Sequence, residues 1–133
     1  MSRENVAAAR KLVQAFNSRE LATMAQSFDP EIEWTPGGPA AVERRVYRGR
    51  DEVLSGFAAT WEAWTLFQLA ESEIRDLGES ILWLGRARMK GEASHVEFDQ
   101  EFAVHLFMRD GKIVRINGFV GWGQALEAAG LSE

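Results

Sequence analysis

The chain has 133 residues, 46% hydrophobic and 26% charged, with a formal net charge of −5, the make-up of one soluble globular domain long enough to bury a core. The acidic balance argues against a nucleic-acid partner, and the lack of cysteine excludes a disulfide framework and a thiolate metal or redox site. No apolar run approaches the roughly 18 residues of a membrane span and no signal-peptide pattern opens the chain, so a cytoplasmic protein without a membrane partner is expected.

Val6, Ala9, Val13 and Phe16 recur at three- and four-residue spacing and predict an amphipathic helix over residues 4–17. Asn17-Ser18 interrupts it, with Ser18 placed to cap a second helix whose face is Leu21, Met24, Ala25 and Phe28. Asp29-Pro30 ends that helix, because the residue before proline is pushed out of the helical region. Residues 31–35 read as a short strand stopped by Pro36-Gly37-Gly38-Pro39, and a loop carrying Tyr47 runs on to Gly49. The basic residues Arg44, Arg45, Arg48 and Arg50 read as a solvated loop.

A third helix starts at Asp51, with Val53, Phe57, Trp61 and Trp64 on one stripe. Three strands follow, roughly 66–77, 80–90 and 96–108, with turns at Gly78-Glu79 and Gly91-Glu92-Ala93-Ser94. Residues 98–120 alternate with period two across Arg109-Asp110-Gly111 and predict a long antiparallel hairpin. One of its faces is Phe98, Gln100, Phe102, Val104, Leu106 and Met108, continued by Val114, Ile116, Gly118 and Val120. The opposite face holds Glu101, His105, Arg115 and Asn117, so one side is buried and the other is wet or covered by a partner. A short helix over 124–129 ends at Gly130. With no repeat or linker, residues 1–133 form one α+β domain: a cone-shaped, curved antiparallel sheet with three helices packed on its concave face.

Phe28-Asp29-Pro30-Glu31-Ile32-Glu33-Trp34, Tyr47-Arg48-Gly49-Arg50-Asp51 and Arg109-Asp110-Gly111-Lys112-Ile113-Val114-Arg115, with the tail from Ala125 to Leu131, resemble the SnoaL-like branch of the nuclear transport factor 2-like superfamily. Ketosteroid isomerases, limonene epoxide hydrolases and polyketide cyclases are related to that branch. The resemblance implies a conical cavity, with chemistry that varies from member to member. Where ketosteroid isomerases carry a tyrosine, a general-base aspartate and a protonated aspartate, this chain has Leu12, Thr35 and Val104. The positions of the epoxide hydrolase arginine and aspartates hold Gly85, Ala87 and Gly118, so neither catalytic set carries over. Relatives dimerise through the sheet, and the mixed composition of the outer face, with Phe107 and Phe119 beside Glu101 and His105, fits a homodimer.

Candidate site residues follow from the faces. Gln100 is the lone polar side chain on the apolar face and can orient a ligand carbonyl or hydroxyl, or be satisfied by backbone. Tyr47, at the expected cavity mouth, can donate to a substrate oxygen or simply pack. Glu33 and Trp34 share a strand, so only one faces the cavity. A carboxylate against Trp would have a raised pKa and serve as general base, while hydrophobicity favours Trp34 inside. Phe57, Trp61, Trp83, Phe102, Val104, Gly118 and Val120 complete the expected pocket, with Gly85 and Gly118 opening room at its base. His105 and its neighbouring acids fall on the outer face, and His95 with Glu97 has weak spacing for a metal. No metal or cofactor is expected. The resulting expectation is a SnoaL-like protein with a pocket for an apolar small molecule, acting as an isomerase, cyclase or hydrolase through proton transfer by Glu33 or Tyr47. The alternatives are a non-catalytic binder and a dimeric assembly domain with a filled cavity.

Overall fold

Asp110 and Gly111 both adopt positive φ, 52° and 77°, the mirror-image turn whose twist matches that of paired strands. They join β5 (Glu97–Arg109) to β6 (Lys112–Phe119), and the hairpin starts in register with Arg109 opposite Lys112. A bulge then shifts the register between Phe107 and Met108. An extra residue on one strand swaps the faces beyond it. The fully buried residue is therefore Ile113, opposite Met108, whereas Val114, expected on the inner face, lines a groove on the outer one.

The computed structural model describes residues 2–37 and 45–131; Gly38, Pro39 and Arg44 lie outside the described residues. The remaining elements are α1 (Ser2–Asn17), α2 (Leu21–Ser27), β1 (Phe28–Thr35), β2 (Tyr47–Arg48), α3 (Arg50–Ala63), β3 (Trp64–Asp76), β4 (Ser80–Gly91) and α4 (Trp122–Ala128). Together the strands form one sheet in the order β2-β1-β6-β5-β4-β3. Strands β3 to β6 pair antiparallel as hairpin succession requires, but β1 runs parallel to β6, so the sheet is mixed and not wholly antiparallel. Tyr47 and Arg48, expected in a loop, form a two-residue strand opposite Trp34 and Glu33, too short to leave a periodic signal.

Helices α1, α2 and α3 bury their apolar stripes on the concave face, where Ala9, Leu12, Phe16, Met24, Val53 and Phe57 share one core with Ile32, Ile81, Leu106 and Ile116. Polar clasps fix the helices. The Asn17 amide donates to the Leu69 carbonyl and accepts from the Leu69 N–H, both at 2.9 Å. Arg19 donates to the carbonyls of Trp61, Trp64 and Thr65, tying the end of α3 to the start of β3. Arg50 donates through two nitrogens to the Phe28 carbonyl. Ser18, expected to cap α2, lies in the turn before it, and the cap position is Glu20, which makes no side-chain cap bond.

The short C-terminal helix α4 packs on the other side of the sheet, setting Ala125 and Leu126 against Leu82, Leu84 and Ala103 in a second core. It ends at Gly130, φ 76°, with Leu131 N–H donating to Leu126 O at 2.8 Å and Gly130 N–H to Glu127 O at 3.0 Å, the Schellman arrangement that satisfies free carbonyls. Both faces of β4 are consequently buried from Ile81 to Gly85.

Two strand glycines are sites of close approach. A Cβ on Gly85 would strike the Ala70 carbonyl and the Trp83 ring, and one on Gly118 would lie 2.8 Å from the Gly37 nitrogen. The space expected to open at these glycines is thus filled by the protein itself. Gly118→Ala should cost about 1–3 kcal/mol through overpacking against an unyielding backbone, measured as a lower denaturant midpoint at unchanged slope.

Candidate functional site

Between the inner sheet face and the three helices lies a pocket of about 60 Å³. Helix α1 contributes Leu12, Val13 and Phe16, α2 contributes Met24, and α3 contributes Phe57 and Thr60. Trp34, Pro36 and Gly37 enter from the end of β1, and the sheet supplies Phe67, Leu69, Trp83, Phe102, Val104, Leu106, Ile116 and Gly118. Val13, Gly37 and Thr60 are half-exposed, as are Leu69, Phe102, Val104 and Gly118 on the sheet. Thr60 is the one hydroxyl among these residues, and its Oγ1 donates to the Gly56 carbonyl at 2.9 Å. None of the described lining residues carries an ionisable group.

Strand parity explains which expected residues meet here. Trp34, Phe57, Trp83, Phe102, Val104 and Gly118 all line the pocket. Trp34 is the inward member of its strand pair; its ring stacks on Phe57 at 4.1 Å and 10° and on Tyr47 at 4.9 Å and 25°. Gly56 permits this column, since a Cβ there would lie 2.7 Å from the Tyr47 ring. Tyr47 therefore backs the pocket wall without lining it, and Arg45 caps its outer side at 4.6 Å.

Glu33, the candidate base, points away from the pocket: with Trp34 inside, alternation sends it to the outer face, 3.8 Å from Arg48. Gln100 has the inner parity but sits one pleat beyond Phe102, where its amide reaches only the Met89 sulfur, at 3.9 Å, among the described residues. That end is closed by Trp64 against Phe98, 5.8 Å apart. Trp61 lies one turn beyond Phe57 and packs on Phe16 at 5.6 Å, off the lining. Val120 follows the last paired residue of β6, and the chain turns away at Gly121, φ 93°.

One acidic side chain on the inner face escaped the sequence reading. Glu71 pairs across the sheet with Gly85, sharing the face of Phe67 and Leu69. The alternation of β3 carries that signal once its register to β4 is known. Arg10 on α1 grips both Glu71 oxygens at 3.1 and 2.9 Å. The Arg10 guanidinium holds this carboxyl below its ordinary range, with a smaller contribution from the Trp83 indole N–H. That N–H leans on Glu71 without completing a hydrogen bond, and the Trp61 N–H is likewise unpartnered among the described residues.

His105 lies outside the pocket but is not solvated. It is 7% exposed, with Nε2 2.9 Å from Ser80 Oγ and its ring 4.2 Å from Phe107. Among the described residues no group of three or more His, Cys, Asp or Glu could hold a metal ion, and no helix is long and apolar enough to cross a membrane.

Residues 9–116 match the family model described as a SnoaL-like domain. The chain belongs to the SnoaL-like domain family. Solved structures agree on the fold. A protein of unknown function from Burkholderia pseudomallei, described as NTF2-like, superposes with a TM-score of 0.80 at 19% identity, over 93% of this chain and 95% of that one. TerC, co-crystallised with polyporic acid, gives 0.78 at 17% identity over 93% and 96%. A hypothetical protein with a ketosteroid isomerase-like fold from Catenulispora acidiphila, in complex with trimethylamine, gives 0.76 at 12% identity over 94% and 93%. At these identities the likeness is one of fold. No curated protein matches this SnoaL-like chain.

Burial pushes the His105 pKa below its ordinary value. In the unfolded chain the same imidazole titrates near pH 6.5, so below that pH the unfolded state takes up a proton that the folded state resists. The stability due to neutral His105 is complete above about pH 7 and is lost as pH falls through 6.5 toward the folded pKa. Urea unfolding at pH 7.5 and 5.5 should show His105→Gln losing less stability on acidification than the parent, with the sign fixed by this order of pKa values.

Proposed function

We propose that this SnoaL-like domain binds an apolar small molecule in the concave pocket and holds it without proton transfer from the pocket wall. The observation that carries this reading is the chemistry of the lining, which presents carbon nearly throughout and no titratable group among the described residues. General acid–base catalysis needs such a group within hydrogen-bond reach of the substrate. Glu33 is on the wrong face, and Glu71 is held ionised by Arg10 away from the lining. Neighbours of the same fold crystallised with polyporic acid or trimethylamine make small-molecule binding a reasonable use of this architecture. A filled core is the second reading, favoured by Trp83 over Gly85 and by Gly37 against Gly118.

Trp34 and Trp83 both line the pocket, so indole fluorescence reports occupancy directly. A ligand at about 100 times its Kd adds about 2.7 kcal/mol, a rise in Tm of several degrees for a domain of this size. Titration of apolar compounds should give saturable quenching with that thermal shift, and both should vanish in Val104→Phe. Tyr47→Phe should leave binding intact; turnover that disappears with this substitution would make Tyr47 a catalytic donor and overturn the binding-only reading. The outer groove beside Leu77, Phe107 and Met108 is where the expected second copy would pack, and sedimentation velocity should then give a dimer that weakens in Phe107→Glu.

A further inference from the structure

Resting on that pocket reading, we infer that the ligand class is a molecule with a slender aliphatic chain that enters the pocket end-on, and not a fused-ring compound lying flat within it. The pocket holds about 60 Å³, under half of the roughly 150 Å³ of an apolar cavity known to seat benzene. What narrows it cannot easily swing aside. On one side the fully buried Trp83 ring lies over Gly85, and on another the backbone at Gly37 presses on the backbone of Gly118. From β3, Phe67 adds a third wall, edge-on to Phe16 at 5.1 Å and to Phe102 at 6.1 Å. Close-packed aromatics and main chain are poor at yielding volume.

Polarity adds a second restriction. Thr60 spends its hydroxyl proton on Gly56, and the Trp83 N–H leans toward Glu71 rather than into the space. A ligand hydroxyl or carbonyl carried inside would lose its water and find no matched partner among the described lining residues. Any polar head must therefore stay where the lining is half-exposed, Val13, Gly37 and Thr60 among it, with only methylenes and a terminal methyl going in. Only the end of a flexible chain, its last few carbons, meets both conditions, whereas a rigid polycycle fails the first and a polar-edged ring fails both.

The test uses the whole chain with octanol as the aliphatic probe and estradiol and naphthoquinone as ring probes, read by indole fluorescence and by methyl shifts of Leu12, Val104 and Leu106. Octanol should bind saturably and shift those methyls, with Kd weakened about tenfold or more in Val104→Phe. Val13→Trp, at a half-exposed position where folding tolerates bulk, should have the same effect. Ring probes that bind tighter than octanol and are blocked by both substitutions would overturn the end-on inference while leaving the pocket reading intact. Octanol binding that ignores both substitutions would place it elsewhere and overturn the inference. Failure of all probes to bind would overturn inference and pocket reading together, in favour of the filled core.

Discussion

At Gly85 the sheet is held from both sides at once, and the shape of the cone depends on that hold. Strand β3 is bulged opposite it, between Glu71 and Glu73, which bends the pair inward. Inside, the missing side chain makes room for the Trp83 ring and the Ala70 carbonyl. Outside, the Trp122 indole donates to the Gly85 carbonyl at 2.9 Å while the Trp122 N–H is accepted by Glu101. One residue with no Cβ thus lets a helix on one face and an aromatic wall on the other be fixed to a single bend. The three inner helices then close over a space whose size the bend has already set.

The fold was largely legible because burial on one face leaves a period-two trace in each long strand and a three-to-four trace in each helix. Phe102, Val104 and Leu106 could be assigned to the interior from alternation alone, and His105 and Glu101 to the exterior. What alternation cannot report is a break in itself. The bulge at Phe107 and Met108 sent Val114 outward and Ile113 inward, with no residue in that stretch to announce it. The parallel docking of β1 on β6 was equally silent, since it depends on the Gly37 and Gly118 backbones meeting across more than half of the chain. Glu71 went unread for a related reason: its inward parity is plain only when β3 and β4 are paired, and one of two glutamates on a long polar strand otherwise resembles surface.

The two faces of the sheet are built by different rules. The inner one is aromatic and aliphatic, with polar groups turned to its margins. On the outer one, cross-strand neighbours are matched by charge, Arg86 with Asp99 and Arg88 with Glu97, all well exposed. Such pairs contribute little to stability, on the order of 0–1 kcal/mol each. Their effect is on register, since sliding β4 by one residue would break each pair and turn the inner residues outward. The apolar groups on this side are largely used within the chain: Phe119 lies under α4, and Phe107 is sandwiched between His105 and Arg115.

The clasp between Asn17 and Leu69 has a consequence beyond holding a helix in place. Strand β3 is the long outermost strand of the sheet, and β2, at the other margin, has only two residues. An uncovered run of main-chain donors and acceptors invites a strand from another molecule to add on. By engaging both the N–H and the C=O of Leu69, Asn17 occupies the middle of that run in the way a paired strand would, and Glu71, Glu73 and Arg75, farther along β3, discourage an incoming chain there. The residue that ends the first helix is also the one that keeps the sheet from growing.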